Sequence, residues 1–229
     1  MAILLPRQLP GDAKLVKQNL AEALQREILE GRLMPGQRIV EGPLAKKFGV
    51  AQASVREAIN LLIQNGFAEK RSGRSARVTQ YSKQDVTRLY EVRGALEGLA
   101  ARLVVERKAD LTPLANALTE LASAIQAREM ARVLEVDMRF HLTMCELSGN
   151  PILFDHLRRI LAPLFGFALI RVSQSRQTSE AWMRDFGDHE RLLDLLREGD
   201  PELAEQYVRH MISKFSSHAY AIWENKERN

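Results

Sequence analysis

Apolar residues recur every three or four positions along most of the chain, which is the spacing that places side chains on one face of an α-helix. The first such stretch covers residues 18–30, where Leu20, Leu24 and Ile28 share a face. Gly31 follows this stretch, and glycine readily adopts the backbone conformation that ends a helix. The pattern therefore predicts a first helix over residues 18–30.

Two shorter helices are predicted next. The segment 43–49 has apolar positions at helical spacing and ends on glycine. A third helix is predicted over residues 54–65, with an apolar face of its own. Ser54 and Glu57 at its start fit a capping box, in which a hydroxyl and a carboxylate each accept a hydrogen bond from the other residue's amide.

Two runs with strand-like composition follow the third helix, over residues 67–71 and 76–80. They are joined by residues 72–75, a Ser-Gly-Arg-Ser segment that combines turn-forming residues with a basic side chain. Three helices followed by a hairpin with a basic tip form the order of a winged helix-turn-helix. The N-terminal part of the chain is therefore predicted to be such a unit.

Beyond this hairpin nearly every segment has helical spacing. Ser82 and Asp85 mark a helix start. Six long helices are predicted, near residues 85–106, 113–126, 130–147, 151–173, 179–198 and 201–224. The predicted fold is mainly α, a winged helix-turn-helix followed by a bundle of about six helices. The predicted boundaries are 1–17 for an N-terminal arm, 18–80 for the winged helix-turn-helix, 81–85 for a linker and 86–229 for the helical domain.

The positive charge of the chain is concentrated in its N-terminal third. Residues 1–80 carry 13 Lys and Arg against 7 Asp and Glu, a net of +6, whereas residues 81–229 carry 20 against 22, a net of −2. Contacts of Lys and Arg with phosphates release condensed counterions and drive binding to nucleic acid. An ordinary solubilising surface is the alternative. The asymmetry favours DNA as the partner of the N-terminal part.

The remaining composition narrows the cellular setting. A single cysteine, Cys145, excludes an intramolecular disulfide and fits a reducing compartment. No run of 18 apolar residues and no signal-peptide pattern occurs in the sequence. We therefore expect a cytoplasmic protein without a membrane partner.

The third predicted helix is the candidate recognition helix, because the DNA major groove is wide enough to accept an α-helix. Arg56 can contact a phosphate or make two hydrogen bonds to guanine, and a merely solvated helix residue is the alternative. The hairpin tip suits a close backbone approach with a cation beside the minor groove. The candidate DNA-binding residues are Gln52, Ala53, Ser54, Arg56, Gly73 and Arg74.

Residues 18–78 resemble, without a gap, the DNA-binding domain of the GntR family of bacterial transcription regulators. The most specific motifs are I-x-x-G-x-L-x-P-G from Ile28 to Gly36, L-A-x-x-F-G-V from Leu44 to Val50, and V-R-E-A-I over residues 55–59. Members usually have Ser-Arg-Thr-Pro immediately before the last motif, where this chain has Ala-Gln-Ala-Ser. The resemblance implies that Arg56 contacts DNA, and it puts Gln52 where members commonly have a contact arginine.

The helical part contains one pair of residues with metal-binding chemistry. Asp137 and His141 are four residues apart, so they share one face of a predicted helix. A carboxylate and an imidazole can ligate one cation if further helices bring more imidazoles, and His189 and His210 lie on the last two predicted helices. A surface pair or a hydrogen-bonded core histidine is the alternative.

Residues 85–215 resemble the all-helical FCD sensor domain of the FadR-like branch of the same family. The supporting stretches are 90–103, 137–153 and 188–204. The resemblance implies a divalent metal, zinc in our interpretation, bound by Asp137, His141, His189 and a further histidine. His210 is the candidate, although it comes one residue earlier than the usual spacing, where Met211 stands. One residue turns a helix by about 100°, so a shorter loop must restore the register.

Arg93 matches an arginine that faces the cavity in relatives. A buried guanidinium can hold a small organic acid through two hydrogen bonds, with the metal binding the other end of the acid. An ion pair with Glu97, four residues further along the helix, is the alternative.

Together these features predict a homodimeric, ligand-responsive repressor that binds palindromic operator DNA and senses a small carboxylate. One alternative keeps the regulator but replaces metal and carboxylate by an apolar effector such as an acyl-CoA. A metal-dependent enzyme is a weaker alternative, because the sequence shows no nucleophile motif and no glycine-rich phosphate loop.

Overall fold

The computed structural model describes residues 13–70, 75–173 and 180–224. The chain divides into two compact units, Met1–Gln80 and Tyr81–Asn229. None of the helices in the described ranges combines the length and the apolar character that a membrane crossing requires.

The N-terminal unit consists of three helices and a small antiparallel hairpin. Its elements are α1 (Ala13–Leu29), α2 (Glu41–Phe48), α3 (Gln52–Gln64), β1 (Ala68–Glu69) and β2 (Arg77–Val78). In the hairpin Ala68 pairs with Val78 and Glu69 with Arg77. The apolar faces of the helices meet in a core that includes the fully buried Leu24, Ile28, Val55, Leu62 and Phe67. The predicted order of a winged helix-turn-helix is confirmed.

Two predicted boundaries in this unit are wrong. α1 begins at Ala13, so the last five residues of the predicted arm are helical. The segment 13–17 contains no glycine or proline, and a helix extends easily once its first turn has formed. α3 begins at Gln52 with Ala51 as its N-cap, and no side chain caps it. The predicted Ser54–Glu57 capping box is absent, since Ser54 lies inside the helix.

The C-terminal unit is a bundle of six described helices, which confirms the mainly α fold. They are α4 (Lys83–Glu106), α5 (Thr112–Gln126), α6 (Met130–Leu147), α7 (Pro151–Ser173), α8 (Glu180–Glu198) and α9 (Pro201–Glu224). Its core contains the apolar faces of α4, α5 and α6 together with buried leucines of α7 and α8.

The start of α4 replaces most of the predicted linker. Ser82 is its N-cap: the amide of Asp85 donates to Ser82 Oγ at 3.2 Å, and the amide of Ser82 donates to Asp85 Oδ2 at 3.0 Å. These reciprocal bonds satisfy two amides at the helix start, so the helix begins at Lys83. The helix start predicted at Ser82 and Asp85 is confirmed, and residues 83–85 of the predicted linker are helical.

α4 and α9 pack closely because α4 has two glycines on the face turned toward α9. A Cβ atom added at Gly98 would lie 3.1 Å from the carbonyl oxygen of Glu205, and one at Gly94 would lie 3.8 Å from that of Arg209. Arg93 and Glu97 immediately precede these glycines and are buried. α4 therefore has two buried charged residues next to the glycines at which it packs against α9.

Candidate DNA-binding surface and buried Asp–His cluster

Three of the predicted metal ligands converge inside the C-terminal unit. Asp137 and His141 lie one turn apart on α6, and His189 comes from α8. Asp137 Oδ1 is 2.8 Å from His189 Nε2 and 3.3 Å from His141 Nε2, and the two Nε2 atoms are 3.4 Å apart. All three residues are buried. This convergence of two imidazole nitrogens and one carboxylate oxygen is a donor set that transition metals such as zinc accept.

The electrostatics of the cluster are set by opposing effects. Burial lowers the pKa of His141, but attraction to Glu97 and contact with Asp137 outweigh burial and raise the pKa to about 9. Burial raises the pKa of Asp137, but His189 and His141 outweigh it and hold this pKa below its usual value. Without a metal, His141 is therefore a cation at neutral pH and Asp137 is an anion.

The missing hydrogen bond of Asp137 Oδ1 supports a metal at this cluster. Although this oxygen lies within 3.3 Å of two imidazoles, it has no hydrogen bond of acceptable geometry to any described residue. A buried carboxylate oxygen without a hydrogen bond is costly, and such an atom calls for a missing partner. A cation at the point where the three donors converge would satisfy this oxygen.

Glu97 is a second carboxylate beside the cluster, and the sequence interpretation did not include it in the metal site. Glu97 Oε2 is 2.6 Å from His141 Nδ1, and Glu97 Oε1 accepts a hydrogen bond from Arg93 Nε at 2.6 Å. Burial raises the pKa of Glu97, but the charges of Arg93 and His141 outweigh it and lower the pKa to about 2. A carboxylate that holds the outer nitrogen of a histidine fixes the orientation of the ring toward a metal.

Arg93 forms the ion pair with Glu97 that was the alternative to effector binding in the sequence analysis. Its guanidinium lies 5.0 Å from the ring of Tyr90 and 5.4 Å from that of Phe165. Its Nη2 atom is buried and has no hydrogen-bond partner among the described residues. The ion pair therefore leaves one donor of Arg93 for another acceptor.

The structure does not bring His210 to this cluster. His210 is exposed on α9, whereas its neighbour Met211 is almost completely buried. The loop before α9 does not restore the register, because one residue rotates the side chain by about 100° around the helix. The described cluster thus offers three ligands rather than four.

In the N-terminal unit, the first turn of α3 points outward. Gln52, Ala53 and Arg56 are exposed and Ser54 is half-buried, whereas Val55 and the later apolar positions face the core. The two predicted contacts of the hairpin tip, Gly73 and Arg74, lie outside the described residues.

Arg56 is held by a residue that the sequence interpretation missed. Its Nε donates to Glu41 Oε1 at 3.0 Å and its Nη2 donates to Glu41 Oε2 at 2.8 Å. Both residues line a concavity of about 300 Å³ that also contains Arg38 and Lys70. A separation of 15 residues gives no local sequence signal for this pair; only the turn between α2 and α3 brings the two residues together.

Comparisons with known proteins agree with both units. Residues 16–78 match the family model "Bacterial regulatory proteins, gntR family", and residues 88–214 match that of the FCD domain. The chain is 30% identical over 214 residues to the uncharacterized HTH-type transcriptional regulator YdhC of Bacillus subtilis, covering 90% of this chain and 92% of that protein.

A second relative and a solved structure extend the likeness. The chain is 26% identical over 205 residues to a Paenarthrobacter nicotinovorans protein named "Probable D-xylose utilization operon transcriptional repressor", covering 87% of each protein. The structure of E. coli McbR/YncC superposes with a TM-score of 0.70 at 22% identity, over 93% of this chain and 99% of that one. At this identity the superposition supports the fold alone.

Proposed function

The chain belongs to the GntR family of bacterial regulatory proteins, with an FCD domain in its C-terminal unit, and from this membership we propose a ligand-responsive repressor. It is a DNA-binding transcription regulator, and its relatives are regulators rather than enzymes. Repression is inferred from the relative named as a repressor. Because such a protein acts on the chromosome, we place it in the bacterial cytoplasm.

The exposed first turn of α3 is the observation that supports the DNA-reading function. In our proposal α3 enters the major groove, where Gln52, Ala53, Ser54 and Arg56 face base edges and phosphates. The wing residues Gly73 and Arg74 are assigned to the minor groove or its edge on the family resemblance. Basic side chains near phosphates make such binding weaker as salt rises.

DNA binding is tested with the full-length protein and fluorescently labelled duplexes. We expect salt-sensitive, sequence-selective binding to the DNA upstream of its own gene or to a duplex selected from a random library. The Arg56→Ala variant should lose selectivity while it keeps the helical content and melting temperature of the wild type. Equal affinity of the wild type for all duplexes would contradict the proposal.

For the C-terminal unit we propose that Asp137, His141 and His189 hold a divalent metal, with zinc as the first candidate. A bound zinc would supply a Lewis-acidic centre with room for an exogenous oxygen ligand, because this site has three protein ligands. Glu97 orients His141, and the free Nη2 of Arg93 donates to a small carboxylate effector. His210 is not part of the proposed site.

Metal content after loading with zinc and dialysis tests the ligand set. We expect about one zinc for each wild-type chain, a loss of zinc in His141→Ala, and wild-type content in the control His210→Ala. Retention of zinc by His141→Ala would refute the site, and a wild-type chain that holds no zinc would favour a metal-independent effector. A screen of small carboxylates by melting temperature, with and without zinc, then tests the effector, because a native-state ligand raises stability.

We also propose that the protein is a homodimer with α4 in the interface. A row of apolar residues runs along α4 with alternating spacings of three and four, and they remain exposed or half-buried: Leu89, Val92, Leu96, Leu99 and Leu103. This spacing is the seam by which two helices pack along their length. Light scattering should give twice the chain mass for the wild type and a monomer mass for Val92→Asp combined with Leu99→Asp.

A further inference from the structure

The contact between Glu41 and Arg56 uses one particular edge of the guanidinium. Glu41 occupies the side of the fork formed by Nε and Nη2, at 3.0 Å and 2.8 Å. The opposite end of the guanidinium, formed by Nη1 and the second hydrogen of Nη2, faces away from this carboxylate. Arginine has five N–H donors in one plane, so engaging one edge leaves a second pair of donors with a fixed direction.

The free edge has the geometry that guanine requires. In the major groove guanine presents O6 and N7 as adjacent acceptors, and a pair of arginine N–H groups matches them. A freely rotating arginine loses conformational entropy when it makes this contact, whereas one that is already fixed loses less. We propose that Glu41 is a specificity-determining residue that holds Arg56 so that its outer edge reads guanine. This inference rests on the proposed DNA-reading function of α3.

The location of Glu41 supports this role. Among the described residues that line the concavity, Glu41 is the only acid, beside the cations Arg38, Arg56 and Lys70. A carboxylate at a phosphate-binding surface repels DNA and lowers affinity for every sequence. The hydrogen bonds with Arg56 lower the pKa of Glu41, so the carboxylate stays charged at neutral pH. An acid at this place therefore opposes general DNA binding while it orders the reading side chain.

The two effects of Glu41 predict opposite changes in one variant. In Glu41→Gln the repulsion of phosphates disappears, so affinity for non-specific DNA should rise. The pair of charged hydrogen bonds that orders Arg56 is also lost, so discrimination between guanine and other bases should fall. If the ion pair only links α2 to α3, the fold loses some stability but the discrimination does not change.

The test uses the full-length protein and a duplex that the wild type selects from a random library. Each guanine of the selected site is replaced in turn, and the affinity ratio is measured for every replacement. Arg56→Lys identifies the guanine that Arg56 reads, since lysine cannot make the paired contact. Its discrimination at that guanine should fall by about 5- to 150-fold. The discrimination of Glu41→Gln at the same guanine should fall by about 2- to 13-fold, the cost of ordering one free side chain.

Glu57→Gln is the matched control. Glu57 follows Arg56 on α3, is exposed, and pairs with Lys17 at 3.8 Å rather than with Arg56. This variant removes the same charge and should raise affinity for all duplexes without altering the guanine preference. Melting temperatures verify that both variants are folded.

Three outcomes refute the inference. Full guanine preference in Glu41→Gln means that Arg56 does not need its partner. An equal loss in Glu57→Gln means that net charge, not positioning, sets the preference. If the wild type selects no duplex, the proposed function fails, and the inference fails with it.

Discussion

The buried ion pair of α4 allows a quantitative test of the C-terminal unit. Glu97→Gln removes the charge that compensates Arg93, whose side chain is only 2% exposed. A buried charge that loses its partner typically costs about 3–5 kcal/mol of unfolding free energy. In a domain of this size 1 kcal/mol shifts the melting temperature by about 2–4 °C. We therefore expect the melting temperature of the C-terminal unit to fall by about 6–20 °C.

The same helix provides a matched control. Arg102 and Glu106 have the same spacing and an Nε–Oε1 distance of 2.8 Å, but their side chains are 42% and 40% exposed. Solvent screens this pair, so Glu106→Gln should leave the melting temperature unchanged. Calorimetry of both variants with a chelator present excludes effects of bound metal. Equal shifts in the two variants would refute the argument from burial.

Three further predictions follow from the described contacts. Zinc binding at pH 7 should release about one proton, because a His141 with a pKa of about 9 must lose a proton to become a ligand. Titration calorimetry in two buffers measures this proton release, and its absence would contradict the prediction. Gly98→Ala should lower the melting temperature, since its Cβ meets a carbonyl oxygen at 3.1 Å, while the control Gly187→Ala, with open space, should not. Lys70→Ala should weaken binding to all duplexes alike and reduce the salt slope by about 0.9.

The sequence predicts the helices well because they are long and amphipathic. Among the described residues, the six helices of the C-terminal unit begin and end within two residues of the predicted positions. The errors occur at ends, where local capping decides. The helix start predicted at Ser82 and Asp85 is confirmed, but α4 begins two residues before the predicted position, and α3 begins before Ser54 without a side-chain cap. Boundaries depend on a few hydrogen bonds, whereas the helix itself depends on many apolar contacts.

The candidate sites were harder to predict because they depend on contacts between distant segments. The spacing of four residues indicates that Asp137 and His141 share a face, and it equally indicates the Arg93–Glu97 pair. No periodicity indicates that Glu97 of α4 reaches His141 of α6. Whether His210 or Met211 faces the cluster depends on how α9 is rotated about its axis. A difference of one residue in the loop before α9 changes this rotation by about 100°, and the helical spacing does not indicate it.

The buried charges connect the proposed sensor to the helix that leads out of the DNA-binding unit. Arg93, Glu97, His141, Asp137 and His189 form a continuous row of contacts over α4, α6 and α8. Apolar residues of similar volume would stabilise such a core at least as well, so stability alone does not account for this row. A metal and a carboxylate would supply partners for Asp137 Oδ1 and Arg93 Nη2, which are two of the four buried side-chain atoms without a hydrogen bond among the described residues; the other two, Glu97 Oε2 and His141 Nδ1, face each other at 2.6 Å. Arg93 and Glu97 belong to α4, which is separated from the hairpin of the N-terminal unit by only four residues, so a ligand bound as we propose would contact the helix that directly follows the DNA-binding unit in the chain.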